Sequence, residues 1–188
     1  MSDDAGMRAL PTSPGGVRVD HAVSSGTFSL DGGTWDVDNN VWVIGDDDEC
    51  IVVDAPHDAR PILALVGGRR VVAVLCTHAH DDHVTAVADL TDATRAPAYL
   101  HPDDRMLWDR VQARPPDGEL ADGRSFRVGD VDVAVVHTPG HSPAPAASTS
   151  RPSGWCSPGT PCSKAVPVRP VARSATSAPS SGPSATAC

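Results

Sequence analysis

No stretch of about 18 consecutive apolar residues occurs in the 188-residue chain, so no membrane-spanning helix is expected. The amino terminus, Met1-Ser2-Asp3-Asp4, is acidic and lacks the apolar core of a secretory signal, which makes the cytoplasm the expected location. Lysine is nearly missing: Lys164 is the single one among 15 basic residues, and with the abundance of Ala, Gly, Pro and Val this bias points to GC-rich coding DNA. The formal net charge of −9 argues against nucleic acid as the main partner, because phosphate binding needs clustered Lys and Arg. Cys50 and Cys76 lie inside apolar runs and read as small buried residues rather than as a disulfide framework. The length suits one domain, or one domain with a tail.

What the chain does contain is concentrated in Thr77-His78-Ala79-His80-Asp81-Asp82-His83, directly after the apolar run Val71-Val72-Ala73-Val74-Leu75-Cys76. A strand here delivers three histidines and a carboxylate onto the loop at its carboxyl end. Imidazole and carboxylate suit zinc, and also iron or manganese. Spaced as His-x-His-x-Asp-His, they can divide between two neighbouring ions, as di-metal hydrolases require.

Around this loop, strands and helices interleave. Residues 17–23 alternate with period two and read as a strand, with His21 a structural residue within it. A short strand at 27–30 is followed by a turn at Asp31-Gly32-Gly33. Residues 40–45 and 50–54 flank the acidic tip Asp46-Asp47-Asp48-Glu49 as a hairpin. Asp54 closes that apolar run, either as a helix cap or as a partner that receives the second ring N–H of a metal-bound histidine. Residues 58–66 read as a helix stopped by Gly67-Gly68, residues 85–91 as another, and residues 103–110 as a short amphipathic one. His101 reads as a turn residue after a strand at 96–100. Residues 125–128 and 131–136 form a hairpin around Gly129-Asp130, whose second strand runs into His137-Thr138-Pro139-Gly140-His141-Ser142. In that loop Pro139-Gly140 makes a tight turn that aims His141.

These two motifs carry a resemblance. The first is similar to the His-x-His-x-Asp-His signature of the metallo-β-lactamase superfamily, and the second resembles the corresponding loop of its glyoxalase II (hydroxyacylglutathione hydrolase-like) branch. The resemblance spans roughly residues 16–143. It implies an α/β (α+β) fold of the metallo-β-lactamase type, an αβ/βα sandwich, here its amino-terminal portion. It also implies that His78, His80 and His141 hold a first metal, that Asp82 and His83 hold a second, and that Asp82 orients the attacking hydroxide. Asp54 would support the ligands from behind and His137 would brace its loop. The implied cofactor is up to two Zn2+, with Fe or Mn as alternatives. The implied reaction is hydrolysis of a small-molecule thioester by a metal-activated water. Lactonase, persulfide dioxygenase and nuclease activities are the alternatives within the superfamily, and the acidic balance speaks against the last.

After Pro143 the pattern stops. The family places a metal-bridging Asp and a further His downstream, whereas this chain has no His after His141 and no Asp or Glu after Pro143. Residues 144–188 are Pro, Ser, Ala and Thr with four scattered cations, the composition of a disordered tail after a flexible lead-in (1–16) and a partial domain (17–143). A shifted reading frame around Trp155–Ser163 permits Leu-Val-Phe-Ser-Gly-Asp-Thr-Leu-Phe, which resembles the missing motif. The tail is therefore read as a frameshifted version of the family's second half, with the shift near Ser142–Ala144; resequencing the coding DNA there tests it. On this reading the chain as written is impaired, or is a non-catalytic metal binder or a non-functional truncated protein. Its first sheet would also have an uncovered apolar face and marginal stability.

Overall fold

The structure, a computed structural model, describes residues 12–138 and the backbone of 169–172. A six-stranded sheet is its centre, with strands in chain order from one edge to the other. β1 (Arg18–Leu30) and β2 (Gly33–Gly45) form a long antiparallel hairpin that turns at Asp31-Gly32. β3 (Glu49–Val53) returns antiparallel beside β2 after the acidic turn, where Asp46 accepts from the Asp48 and Glu49 amides at 2.9 Å each. The remaining strands, β4 (Arg70–Leu75), β5 (Ala98–Leu100) and the two-residue β6 (Gly118–Glu119), run parallel to β3.

The helices follow local chemistry. α1 (Ala59–Val66) starts where the Asp58 side chain accepts from the Arg60 amide and stops where Gly67 turns left-handed at φ 65°. The histidine-rich stretch is not extended throughout: Asp81–Val84 wind into a single helical turn, α2, and α3 (Val87–Thr94) follows it. Asp81 organises the turn, since its carboxylate accepts from the Asp82 amide and its carbonyl from the Thr85 hydroxyl. A 3₁₀ turn, Pro102–Asp104, leads into α4 (Arg105–Val111).

Period-two alternation divides the central sheet between two cores. Val41, Val43, Cys50, Val52 and Val74 face the helices, where they meet Ile62, Val84, Leu90 and Trp108. Ile44, Ile51, Val53, Ala73 and Leu75 face the other way, onto Phe126, Val128, Val131 and Val133 of a second sheet. That sheet is β7 (Ser125–Val128), β8 (Val131–Ala134) and β9 (Arg169–Ala172) in antiparallel order. The expected bare apolar face is therefore covered: the β7–β8 hairpin supplies the side chains that seal it. β9 was not among the expected elements; it takes up the open backbone edge of β8, which a sequence pattern does not reveal.

The described end of the lead-in is also tied down. The Ser13 hydroxyl and the Gly15 amide donate to Asp130 at 2.5 and 2.9 Å, fastening the start of β1 to the β7–β8 turn. Among the described residues no helix is long and apolar enough to cross a membrane.

Candidate functional site

β3 and β4 are parallel neighbours, so the segments that leave their carboxyl ends, Asp54–Asp58 and Cys76–His83, lie side by side. Backbone bonds lock them together. The Ala55 amide donates to the His83 carbonyl and the Ala86 amide to the Ala55 carbonyl, both at 3.0 Å. From the helix side, the Gln112 amide donates to the Val84 carbonyl at 2.6 Å.

Asp54 is the hub. Its backbone is left-handed at φ 63°, an uncommon conformation for a non-glycine residue, and its carboxylate is buried, 4% exposed. That carboxylate accepts from the Thr77 amide at 2.8 Å, from the Thr77 hydroxyl at 2.8 Å and from His83 Nδ1 at 3.0 Å. Helix capping falls to Asp58 instead, which leaves the Asp54 carboxylate to Thr77 and the His83 ring. A hydroxyl has one proton, and the Thr77 proton points to Asp54; Thr77 therefore accepts from His78 Nδ1, 3.0 Å away. One carboxylate thus fixes the tautomers of two histidines, His83 directly and His78 through Thr77. In both, Nδ1 carries the hydrogen and Nε2 carries the lone pair.

The imidazoles form a cluster. The His78 and His83 ring centroids are 4.0 Å apart and those of His78 and His80 4.8 Å. Phe28 of β1 packs on His80 at 5.3 Å, and the Ser29 amide donates to Asp81 at 3.1 Å, so the long hairpin lies against the ligand loop. Asp82 is buried, and its Oδ1 makes no hydrogen bond among the described residues. Burial works against charge on His83, but the hydrogen bond and charge of Asp54, with Asp82 and Asp81 behind it, hold its pKa above the ordinary histidine value.

Two contributors escaped sequence reasoning. Asn39 of β2 is 7% exposed and donates through Nδ2 to Asp82 Oδ2 at 2.9 Å and to His83 Nε2 at 3.0 Å. His57, left-handed at φ 52°, meets Asn39 Oδ1 with Nε2 at 3.0 Å. Burial lowers the His57 pKa against the pull of Asp82. The only available signals were a pair of amides inside an apolar strand and a histidine after Pro56; neither has diagnostic spacing.

The donors fit a metal in kind and in tautomer, and the buried Oδ1 of Asp82 is an acceptor awaiting a cation or a donor. Among the described residues, however, no group of three or more His, Cys, Asp or Glu is already drawn together as a cage. The Asn39 amide stands between two of the candidate ligands, Asp82 and His83. His141 and the proposed frameshift around Ser142–Ala144 lie outside the described residues. His21 sits apart, bonded to Asn40 at 2.7 Å and packed on Trp42. His101 accepts from the Asp103 amide in its turn and stacks at 4.4 Å on His137, whose amide donates to Asp122 at 2.9 Å.

Comparison with known proteins places these features in a lineage. The profile of the metallo-beta-lactamase superfamily matches residues 34–159. A hydroxyacylglutathione hydrolase of Cereibacter sphaeroides is 36% identical over 109 residues, covering 56% of this chain and 40% of that protein. A probable metallo-hydrolase of Bacillus subtilis, YqgX, is 28% identical over 119 residues, 55% of this chain and 56% of its own length. An uncharacterized protein of Aquifex aeolicus is 37% identical over 107 residues, 50% of this chain and 51% of that one. The chain spans about half the length of the curated relatives it matches. Among solved structures, the BLEG-1 B3 metallo-beta-lactamase aligns with a TM-score of 0.49 and 28% identity, over 65% of this chain and 64% of that chain.

Proposed function

The chain belongs to the metallo-β-lactamase superfamily, and from that premise we propose that it is built for metal-dependent hydrolysis of a small-molecule acyl-thiol. His78, His80, Asp82 and His83 would hold the metal, zinc first among the candidates, and His141 would complete the first site. The observation that carries this is the shared acceptor: Asp54 sets both His78 and His83 with the lone pair on Nε2, the form that ligates. When bound, such ions supply a Lewis acid and lower the pKa of a water from ~15.7 to about 7.

The protein's own residues account for the rest. The Asp82 Oδ1 would accept a hydrogen bond from the attacking hydroxide and so orient it. Asp54 holds the histidines against rotation. Phe28, with Trp35 behind it at 6.0 Å, offers an apolar flank beside His80 for the substrate's carbon chain. The thioester preference rests on likeness to hydroxyacylglutathione hydrolases and on the 137–142 loop.

A second reading, a metal binder without turnover, is favoured by one fact: residues 133–188 hold no Asp or Glu, so none of their side chains can supply a bridging carboxylate. Elemental analysis of the purified chain, paired with hydrolysis of an acyl-glutathione, separates the readings. Bound zinc that H78A and D82A lose, with slow zinc-dependent turnover, supports the hydrolase. Bound zinc with no turnover supports the binder. A chain without metal, or one whose turnover survives chelation, overturns both.

A further inference from the structure

Asn39 occupies an odd position for a structural amide. Its orientation is fixed, because reversing it would set Oδ1 against the Asp82 carboxylate, oxygen against oxygen. Oδ1 accepts only, so His57 Nε2 must be the donor at 3.0 Å. The two Nδ2 protons are both committed, one to Asp82 Oδ2 and one to His83 Nε2. Lone pairs then decide what can coexist. Asp82 has a second lone pair on Oδ2 and the whole of Oδ1 to offer a cation while it keeps Asn39. His83 has one lone pair, on Nε2, since its Nδ1 hydrogen goes to Asp54. That lone pair serves either the Asn39 amide or a cation, never both.

We propose that Asn39 is a displaceable cap on the His83 side of the site, held in its capping rotamer by His57, so that metal entry at His83 requires one specific hydrogen bond to break. This rests on the metal reading above. Turning the amide away from Nε2 also withdraws Oδ1 from His57, so His57 strengthens the cap. Its own seat is closely fitted: a Cβ at Gly26 would lie 2.3 Å from His57 Nδ1, so β1 carries a glycine where the ring rests. Asn39 and His57 are thus positioning residues that set how readily the second ion binds.

The test is zinc affinity of the full chain, measured by competition with a chromophoric chelator, for the unsubstituted protein, N39A, H57A and H57Q. Loss of one net hydrogen bond should make N39A bind zinc about three- to tenfold tighter. H57A, which leaves Asn39 in place, should shift affinity the same way by less. H57Q, which keeps a donor toward Oδ1, should stay near the unsubstituted value. In an H83A background the tightening by N39A should be lost, leaving at most the smaller effect of its bond to Asp82, a coupling that a general packing defect would not produce. Zinc binding that N39A and H57A leave unchanged or weaken overturns this inference alone. Absence of zinc binding by the unsubstituted chain overturns the metal reading and this inference with it.

Discussion

His83 Nδ1 and Asp54 Oδ2 stand 3.0 Å apart across 29 positions of sequence, and the same carboxylate holds the Thr77 hydroxyl that accepts from His78. D54N tests the hub. An asparagine offers one accepting oxygen: at the Oδ1 position it leaves His83 and the Thr77 hydroxyl facing an NH2, at the Oδ2 position it leaves the Thr77 amide facing one, and in both cases the charge behind His83 is gone. Zinc affinity should fall about 10- to 100-fold, as for other partners behind metal-bound histidines. An affinity within twofold of the unsubstituted chain would show that Asp54 does not govern the ligands.

Two histidines of the site should have midpoints displaced in opposite directions in metal-free protein. His83 is raised by Asp54 against its burial, so its protonated form contributes stability below the ordinary histidine value, lost as pH climbs through the raised one. His57 is lowered by burial, so it contributes in the other direction: its stability is present above the ordinary histidine value and is lost as pH falls from there through the lowered one. Imidazole nitrogen shifts followed by NMR between about pH 5 and 8 should give His83 the higher midpoint. D54N should bring it down. The reverse order of midpoints would contradict the hydrogen-bond assignment.

Ile51 is fully buried on the face of β3 that meets the second sheet. I51A should cost about 2–5 kcal/mol in a denaturant melt. V23A, at a side chain 55% exposed, should stay within about 0.5 kcal/mol. If I51A were as mild as V23A, the two sheets would not form one packed core.

Cys50 and Cys76 are wholly buried, and burial raises both thiol pKa values. Neither should react with a maleimide or disulfide reagent at about pH 8 until the chain is unfolded. Peptide mapping after labelling reads the two positions separately; rapid labelling of Cys76 in folded protein would place the ligand-bearing strand at the surface.

The histidine cluster was legible in the sequence because its residues are close together and chemically unusual. The same holds for the β2–β3 hairpin, where an acidic turn separates two apolar runs, and for α1, which Asp58 opens and Gly67 closes. β1 looked like two pieces because Ser24-Ser25-Gly26 interrupts its apolar alternation. It runs unbroken because β2 supplies an antiparallel partner all along it. α2 is not visible as a separate element in the sequence, since a single helical turn leaves no periodicity to detect. Asn39 and His57 stayed hidden for another reason: their roles depend on contacts 43 and 18 positions away, and a lone amide or imidazole has no spacing to betray it.

Among the described residues, every side chain bonded around Asp54 and Asp82 comes from residues 39–83. During synthesis that segment leaves the ribosome well before β7 and β8, whose side chains cover Ile44, Ile51 and Val53. The ligand cluster can therefore assemble on a nascent sheet with one face still wet. In that interval a metal ion caught early by His78, His80, Asp82 and His83 would pin the turn after β4, which Asp54 already ties to the end of β3, while the chain waits for its cover.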